Sequence, residues 1–156
     1  MKRIKLLYQF LILINSALLV LLIVILFILV IPDFIYQKVY TDKVLGMFHH
    51  FFVFVRGLLL LIALFKIQQG LRAIIKHGFY NAISETKFKS GGFFLCVVGI
   101  IAIVLNIILK SETELNIFIT NIVHSFFIML IGLGLYILAD FIKSGGILKE
   151  ENDLTI

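Results

Sequence analysis

The sequence predicts an all-α integral membrane protein that crosses the bilayer four times. Of its 156 residues, 62% are hydrophobic and only 15% are charged, and the mean hydropathy is +1.14. A soluble domain carries roughly 25% charged residues, so this chain has too few polar groups to cover a surface that faces water. The apolar residues also fall into four long runs, and a single transmembrane four-helix domain, 1–156, accounts for the chain.

Four segments are long enough to cross the hydrocarbon core of a bilayer, which takes about 20 helical residues. The first, 6–31, carries no charge and ends before Pro32. It is about twice as long as the apolar run of a secretory signal peptide, so we expect it to remain as an uncleaved anchor. The other three predicted spans are 48–66, 90–109 and 115–139.

The distribution of Lys and Arg predicts that both termini are cytoplasmic, because short cytoplasmic flanks collect basic residues. Ten basic residues flank the spans on the side of the termini, against three on the other side. The ten are Lys2, Arg3, Lys5, Lys66, Arg72, Lys76, Lys87, Lys89, Lys143 and Lys149, and the three are Lys38, Lys43 and Lys110. Anionic lipids of the cytoplasmic leaflet attract such residues, so the net charge of +5 indicates a lipid partner and no direct nucleic-acid ligand.

Residues 66–92 are predicted to form an amphipathic cytoplasmic loop. Helical spacing continues the second helix to about His77, and an apolar stripe after it would lie flat in the headgroup layer until Ser90-Gly91-Gly92 turns the chain into the third span. This segment either grips anionic lipid or docks a cytoplasmic protein.

An acidic tail, 140–156, is predicted to follow a break of the fourth helix at Gly145-Gly146. It is either merely solvated, or it folds back on the basic loop or captures a basic partner. The candidate partner-docking residues of loop and tail are Arg72, Lys76, Phe79, Lys87, Glu150, Glu151, Asp153 and Leu154.

Residues 148–156, LKEENDLTI, resemble the C-terminal signature of a bacterial membrane family, domain-of-unknown-function family 2975. The four-span layout, the length and Gly78-Phe79 before the third span are similar as well, although 86–88 departs from the family pattern. The resemblance implies a bacterial inner-membrane protein without an established activity. It also implies a small helix-turn-helix regulator as partner, because genes for such regulators commonly lie beside those of family members.

Four polar residues in the outer half of the predicted bundle are expected to form one buried cluster: Arg56, Asn106, Asn121 and His124. A charge at mid-bilayer costs at least ~2.5–3.5 kcal/mol on insertion scales, so Arg56 should face a partner or a cavity. Asp33, Glu112 or Glu114 could neutralise it from the rim. The cluster is a structural contact between helices, a pocket for a small anion or lipid headgroup, or a transport pathway.

Small and polar residues recur in stripes along the last three spans, and small residues let helices approach closely. The stripes are His49, Arg56, Ala63 and Gly70 in the second, Gly92, Cys96, Gly99 and Asn106 in the third, and Asn121, Ser125, Gly132 and Ala139 in the fourth. They predict the inward faces. Asn15 of the first span is expected to form a hydrogen bond with another helix.

No catalytic, metal or cofactor site is predicted, so we do not expect an enzyme. Cys96 has no second cysteine to pair with, and adjacent His49 and His50 point about 100° apart on a helix. No nucleophile and base occur in a recognisable arrangement. The leading prediction is an accessory or regulatory membrane protein that acts on a cytoplasmic partner, and the alternative is a small transporter or channel subunit that works as an oligomer.

Overall fold

The structure, a computed structural model, describes residues 2–30, 43–108 and 115–154. These residues form four helices: α1 (Lys2–Val30), α2 (Lys43–His77), α3 (Ala82–Ile108) and α4 (Leu115–Asp153). Each helix is long and apolar enough to cross a membrane. The ends of the predicted spans at residues 31 and 109 lie outside the described residues, as do the rim carboxylates Asp33, Glu112 and Glu114.

Consecutive helices pack against each other, α1 on α2, α2 on α3, and α3 on α4, with the most extensive contact between the last pair. Many large apolar side chains of α1 are exposed, among them Leu6, Leu13 and Phe27. A helix that is apolar all round and still exposed is typical of a lipid-facing surface.

A four-residue turn, 78–81, joins α2 to α3. Gly78 adopts a left-handed φ of +88°, and its N–H donates to the carbonyl of Ile74 at 3.0 Å, which closes the end of α2. The side chain of Asn81 accepts the N–H of Ser84 at 2.8 Å and so caps the start of α3. The prediction that the second helix extends to about His77 is confirmed.

We call the end of the bundle that contains this turn the turn end, and the opposite end, where α2 and α4 begin, the far end. The main buried apolar cluster lies at the turn end and draws on all four helices, through Leu11, Leu71, Ile74, Phe88, Ala139 and Ile142. Phe88 is 2% exposed and Ile142 is 1% exposed. The buried hydroxyl of Ser84 donates to the carbonyl of Gly70 at 3.1 Å and ties α3 to α2.

Two predictions about glycine pairs are wrong. The chain does not turn at Ser90-Gly91-Gly92, and α4 does not break at Gly145-Gly146, because α3 and α4 are helical throughout these positions. The apolar stripe after His77 therefore belongs to the turn and to the first turns of α3. Likewise, the tail does not fold back, because α4 continues to Asp153.

The glycines are used for close helix contacts instead. A Cβ atom on Gly92 would lie 2.6 Å from the carbonyl oxygen of Gly132, and one on Gly132 would lie 2.7 Å from the carbonyl oxygen of Gly92. Both distances are too short for a real side chain, so α3 and α4 can touch here only because neither residue has one. At Gly145, the space of a Cβ is taken by the ring of Tyr80.

Candidate functional site

A cavity of about 430 Å³ lies at the far end between α2, α3 and α4. Its volume falls within the ~300–1,000 Å³ typical of small-molecule pockets. Three of the four polar residues predicted as a cluster line it, one from each helix: Arg56, Asn106 and Asn121. The rest of its wall consists of His49 and of the apolar residues Phe48, Phe52, Val53, Ala102, Leu105 and Ile108.

His124 does not line this cavity. It is exposed on α4, whereas the next residue, Ser125, is fully buried. Successive residues of an α-helix point about 100° apart, so the face of α4 that packs against α3 cannot include both. The structure therefore brings together three members of the predicted cluster and places the fourth on the outside of the bundle.

Within the described part of the chain, the side chains of Arg56, Asn106 and Asn121 form no hydrogen bond with one another. The amide of Asn106 donates to the carbonyl of Ala102 on its own helix at 2.8 Å. The backbone carbonyl of Asn121 accepts the hydroxyl of Ser125 at 2.7 Å, also within one helix. Arg56 forms no hydrogen bond or ion pair with any residue in 2–30, 43–108 or 115–154.

The predicted hydrogen bond of Asn15 to another helix is confirmed. The amide of Asn15 donates to Oε1 of Gln68 on α2 at 2.5 Å. Sequence reasoning missed Gln68 as the partner, although an amide pair beside the basic end of the second span was a usable signal. Asn15 thus holds α1 to α2, and it lies apart from the far-end cavity.

The candidate docking residues at the turn end divide between two depressions. Arg72, Lys76 and Lys87 line a basic depression of about 340 Å³ on α2 and α3, which we call the basic depression. Glu150 and Asp153 line a cleft of about 340 Å³ between the end of α4 and the turn, which we call the tail cleft. Phe79, Glu151 and Leu154 line neither, and Leu154 is 87% exposed.

Glu85 and Tyr80 also line the tail cleft, although they were not among the predicted docking residues. Glu85 adds a third carboxylate to it, and Tyr80 forms part of its wall while its ring covers Gly145. Tyr80 also stands edge-on to Phe79, with ring centroids 5.3 Å apart. The sequence signal was an aromatic pair directly after the helix-ending Gly78.

Within the described part of the chain, no three His, Cys, Asp or Glu side chains lie close enough together to hold a metal ion. Comparison with protein-family models, with curated proteins and with solved structures gives no match. The functional argument is therefore built on the geometry of the two ends.

Proposed function

We propose that the chain is a multi-pass protein of the bacterial cytoplasmic membrane, with both termini inside, that acts as an accessory or regulatory protein. It binds a basic cytoplasmic partner, such as a small helix-turn-helix regulator, through its turn end. The observation that carries this proposal is a packed helical platform at the turn end. We call residues 67–90 and 140–153 the turn-end platform.

The lengths of α2 and α4 support a platform outside the bilayer. They contain 35 and 39 residues, which at 1.5 Å per residue corresponds to roughly 50 and 60 Å against a hydrocarbon core of ~30 Å. Their most apolar parts begin near the far end, so the excess lies at the turn end. There charged side chains such as Arg72, Lys76 and Glu150 are exposed, beside exposed apolar ones such as Phe141 and Leu148.

The tail cleft supports a basic partner. Three carboxylates line it, from Glu85, Glu150 and Asp153, against the two ammonium groups of Lys143 and Lys149, and Ile142 and Ile147 add apolar wall. An apolar wall with an excess of carboxylates suits a basic amphipathic helix. DNA-reading helices are basic because they approach phosphates, so the cleft would compete with DNA for such a surface. The resemblance of 148–156 to family 2975 points to the same partner class.

The basic depression has a different role in this proposal. Arg72, Lys76 and Lys87 carry the charge that anionic headgroups attract, and they lie on α2 and α3, which enter the predicted spans directly. The depression would hold the platform against the inner leaflet and leave the tail cleft open to the cytoplasm.

Reporter fusions test the orientation. A green fluorescent protein fused after Ile156 should fluoresce, and alkaline phosphatase fused at the same place should be inactive, since the first folds in the cytoplasm and the second does not. Active phosphatase and a dark fluorescent fusion would overturn the proposed topology.

Co-purification tests the partner. The full chain in a nonionic detergent should retain a co-expressed small helix-turn-helix regulator. Glu150→Lys should abolish this, because it reverses a charge in the tail cleft. Asp140→Lys, an equal charge reversal at an exposed position outside the cleft, should not. Equal retention by both variants, or none by the unaltered chain, would count against the proposal.

The alternative of a transporter or channel subunit draws support from one observation, the far-end cavity with Arg56 in its wall. It requires that purified chain in vesicles carries an anion across the bilayer and that Arg56→Gln stops the flux. A chain that catalyses no anion flux would exclude this alternative while leaving the turn-end proposal intact.

A further inference from the structure

The far-end cavity combines two kinds of wall. Apolar side chains form part of its lining, chiefly Phe48, Phe52, Val53 and Leu105, and the polar residues His49, Arg56, Asn106 and Asn121 form the rest. A volume of about 430 Å³ far exceeds the ~30 Å³ that one water occupies. The space is therefore large enough for a small organic molecule, and its wall is amphipathic.

Among the described residues, the charge in this wall has no counter-charge. No side chain in 2–30, 43–108 or 115–154 pairs with Arg56, and all the carboxylates of these residues, Glu85, Asp140, Glu150, Glu151 and Asp153, lie at the turn end. A guanidinium presents a planar set of N–H donors that fits a carboxylate or phosphate group. A ligand that carries a carboxylate or phosphate group would supply the counter-charge of Arg56.

The two asparagines extend this polar region. The side-chain amide of Asn106 donates a hydrogen bond to the carbonyl of Ala102 on its own helix, so the orientation of this amide is fixed before any ligand binds. The Asn121 side chain comes from α4, so the polar part of the wall is assembled from three helices. A head group seated there would contact all three.

We infer that the far-end cavity binds an anionic amphiphile, a molecule with a carboxylate or phosphate head and an acyl chain that enters the cavity. The head pairs with Arg56 between the two asparagines, and the chain lies against Phe48, Phe52, Val53 and Leu105. An inorganic anion would leave those apolar side chains facing water, and a neutral chain would leave the guanidinium unpaired. The inference concerns the far end alone and does not rest on the function proposed for the turn end.

Site-specific photo-crosslinking in nonionic detergent tests this inference. The probe is dodecanoate that carries a diazirine in its chain, and the labelled residues of the full chain are mapped by mass spectrometry. We expect label within 48–56 and 102–108, and we expect excess dodecanoate to remove it. Dodecanol, acetate and inorganic phosphate should compete at least about tenfold less well, since each lacks either the head or the chain.

Two variants separate the head from the chain. Arg56→Gln keeps a polar hydrogen-bond donor and removes the charge, so it should lower crosslinking by dodecanoate at least about tenfold while leaving crosslinking by a diazirine-bearing dodecanol unchanged. Val53→Phe fills the apolar side of the cavity and should lower both. Arg72→Gln, which removes the same charge at the turn end, is the matched control and should lower neither.

The source of the ligand is resolved by one further competition. Phosphatidylglycerol added to the micelles competes if the natural occupant is a membrane lipid, and fails to compete if it is a free single-chain acid. Both results support an anionic amphiphile. Label spread evenly along the four helices, label unaffected by Arg56→Gln, or competition by inorganic phosphate as strong as by dodecanoate would each overturn the inference.

Discussion

The two ends of the bundle differ in how closely their helices pack and in how their polar side chains are paired. At the turn end, four helices meet around Phe88 and Ile142, and polar groups such as Asn81 and Ser84 are paired by short hydrogen bonds. At the far end, α2, α3 and α4 leave a cavity, and a guanidinium in its wall has no partner among the described residues. We therefore expect the turn end to contribute most to the stability of the bundle, and the far end to hold the ligand inferred above.

The largest expected effect concerns the core of the turn end. Phe88→Ala should lower the free energy of unfolding by about 3–5 kcal/mol, because it leaves a cavity where a side chain that is 2% exposed had packed. Phe93→Ala, five residues along the same helix at a side chain that is 54% exposed, should change it by less than about 0.5 kcal/mol. Unfolding by dodecyl sulfate in mixed micelles measures both, and equal losses would erase the contrast between buried and lipid-facing positions.

The next effect has the opposite sign and lies at the far end. Arg56→Leu should leave the bundle as stable as before or make it more stable, because it removes an unpaired charge whose placement in a bilayer costs at least ~2.5 kcal/mol on insertion scales. The yield of inserted protein and the same micelle titration provide the measurement. A loss of stability would mean that Arg56 is a structural contact, and the ends would then differ less than proposed.

A smaller effect is expected where the two regions are joined along α3 and α4. Gly132→Ala should cost about 1–3 kcal/mol of unfolding free energy, because the new Cβ would meet the Gly92 carbonyl oxygen at 2.7 Å and the Cys96 sulfur at 2.8 Å. Gly134→Ala, two residues away with nothing within 4 Å of the new Cβ, should be neutral or slightly stabilising. Equal changes in the melting temperature of the two variants in detergent would contradict the close contact of α3 and α4 at Gly132.

The smallest effects compare two glycines of the turn-end platform that both have open space around a Cβ. Gly78→Ala should cost about 1 kcal/mol, since φ at this position is +88° and an L side chain strains there. Gly146→Ala, inside α4, should instead stabilise by about 0.5–1 kcal/mol because alanine favours a helix. Circular dichroism during a urea titration measures the unfolding free energy of both variants. Changes of the same sign would argue against the left-handed conformation of Gly78.

The features predicted well from sequence are those with a strong local cause. Long uncharged runs require helices in a bilayer, so the four helices and the end of α2 at His77 followed from composition and spacing. Small residues at helical spacing also indicated the contact faces, and Ala63, Gly92, Gly99 and Gly132 are indeed buried.

The features predicted poorly depend on which residue of a neighbouring segment lies opposite a given glycine. A glycine pair costs roughly 1 kcal/mol per residue in a helix, which suggested breaks at Gly91-Gly92 and Gly145-Gly146. The structure keeps both pairs helical, and no sequence pattern shows that Gly132 lies opposite Gly92 or that the Tyr80 ring lies on Gly145. The misplacement of His124 has a simpler cause, because its neighbour Ser125 already occupied the inward face.

The absence of a break in α4 gives the molecule a mechanical property. Asn121 in the cavity wall and Glu150 in the tail cleft belong to one uninterrupted helix, and they are separated by roughly 44 Å along its axis at 1.5 Å per residue. Because no break separates these positions, we expect a change of tilt at one end of α4 to displace the other end sideways.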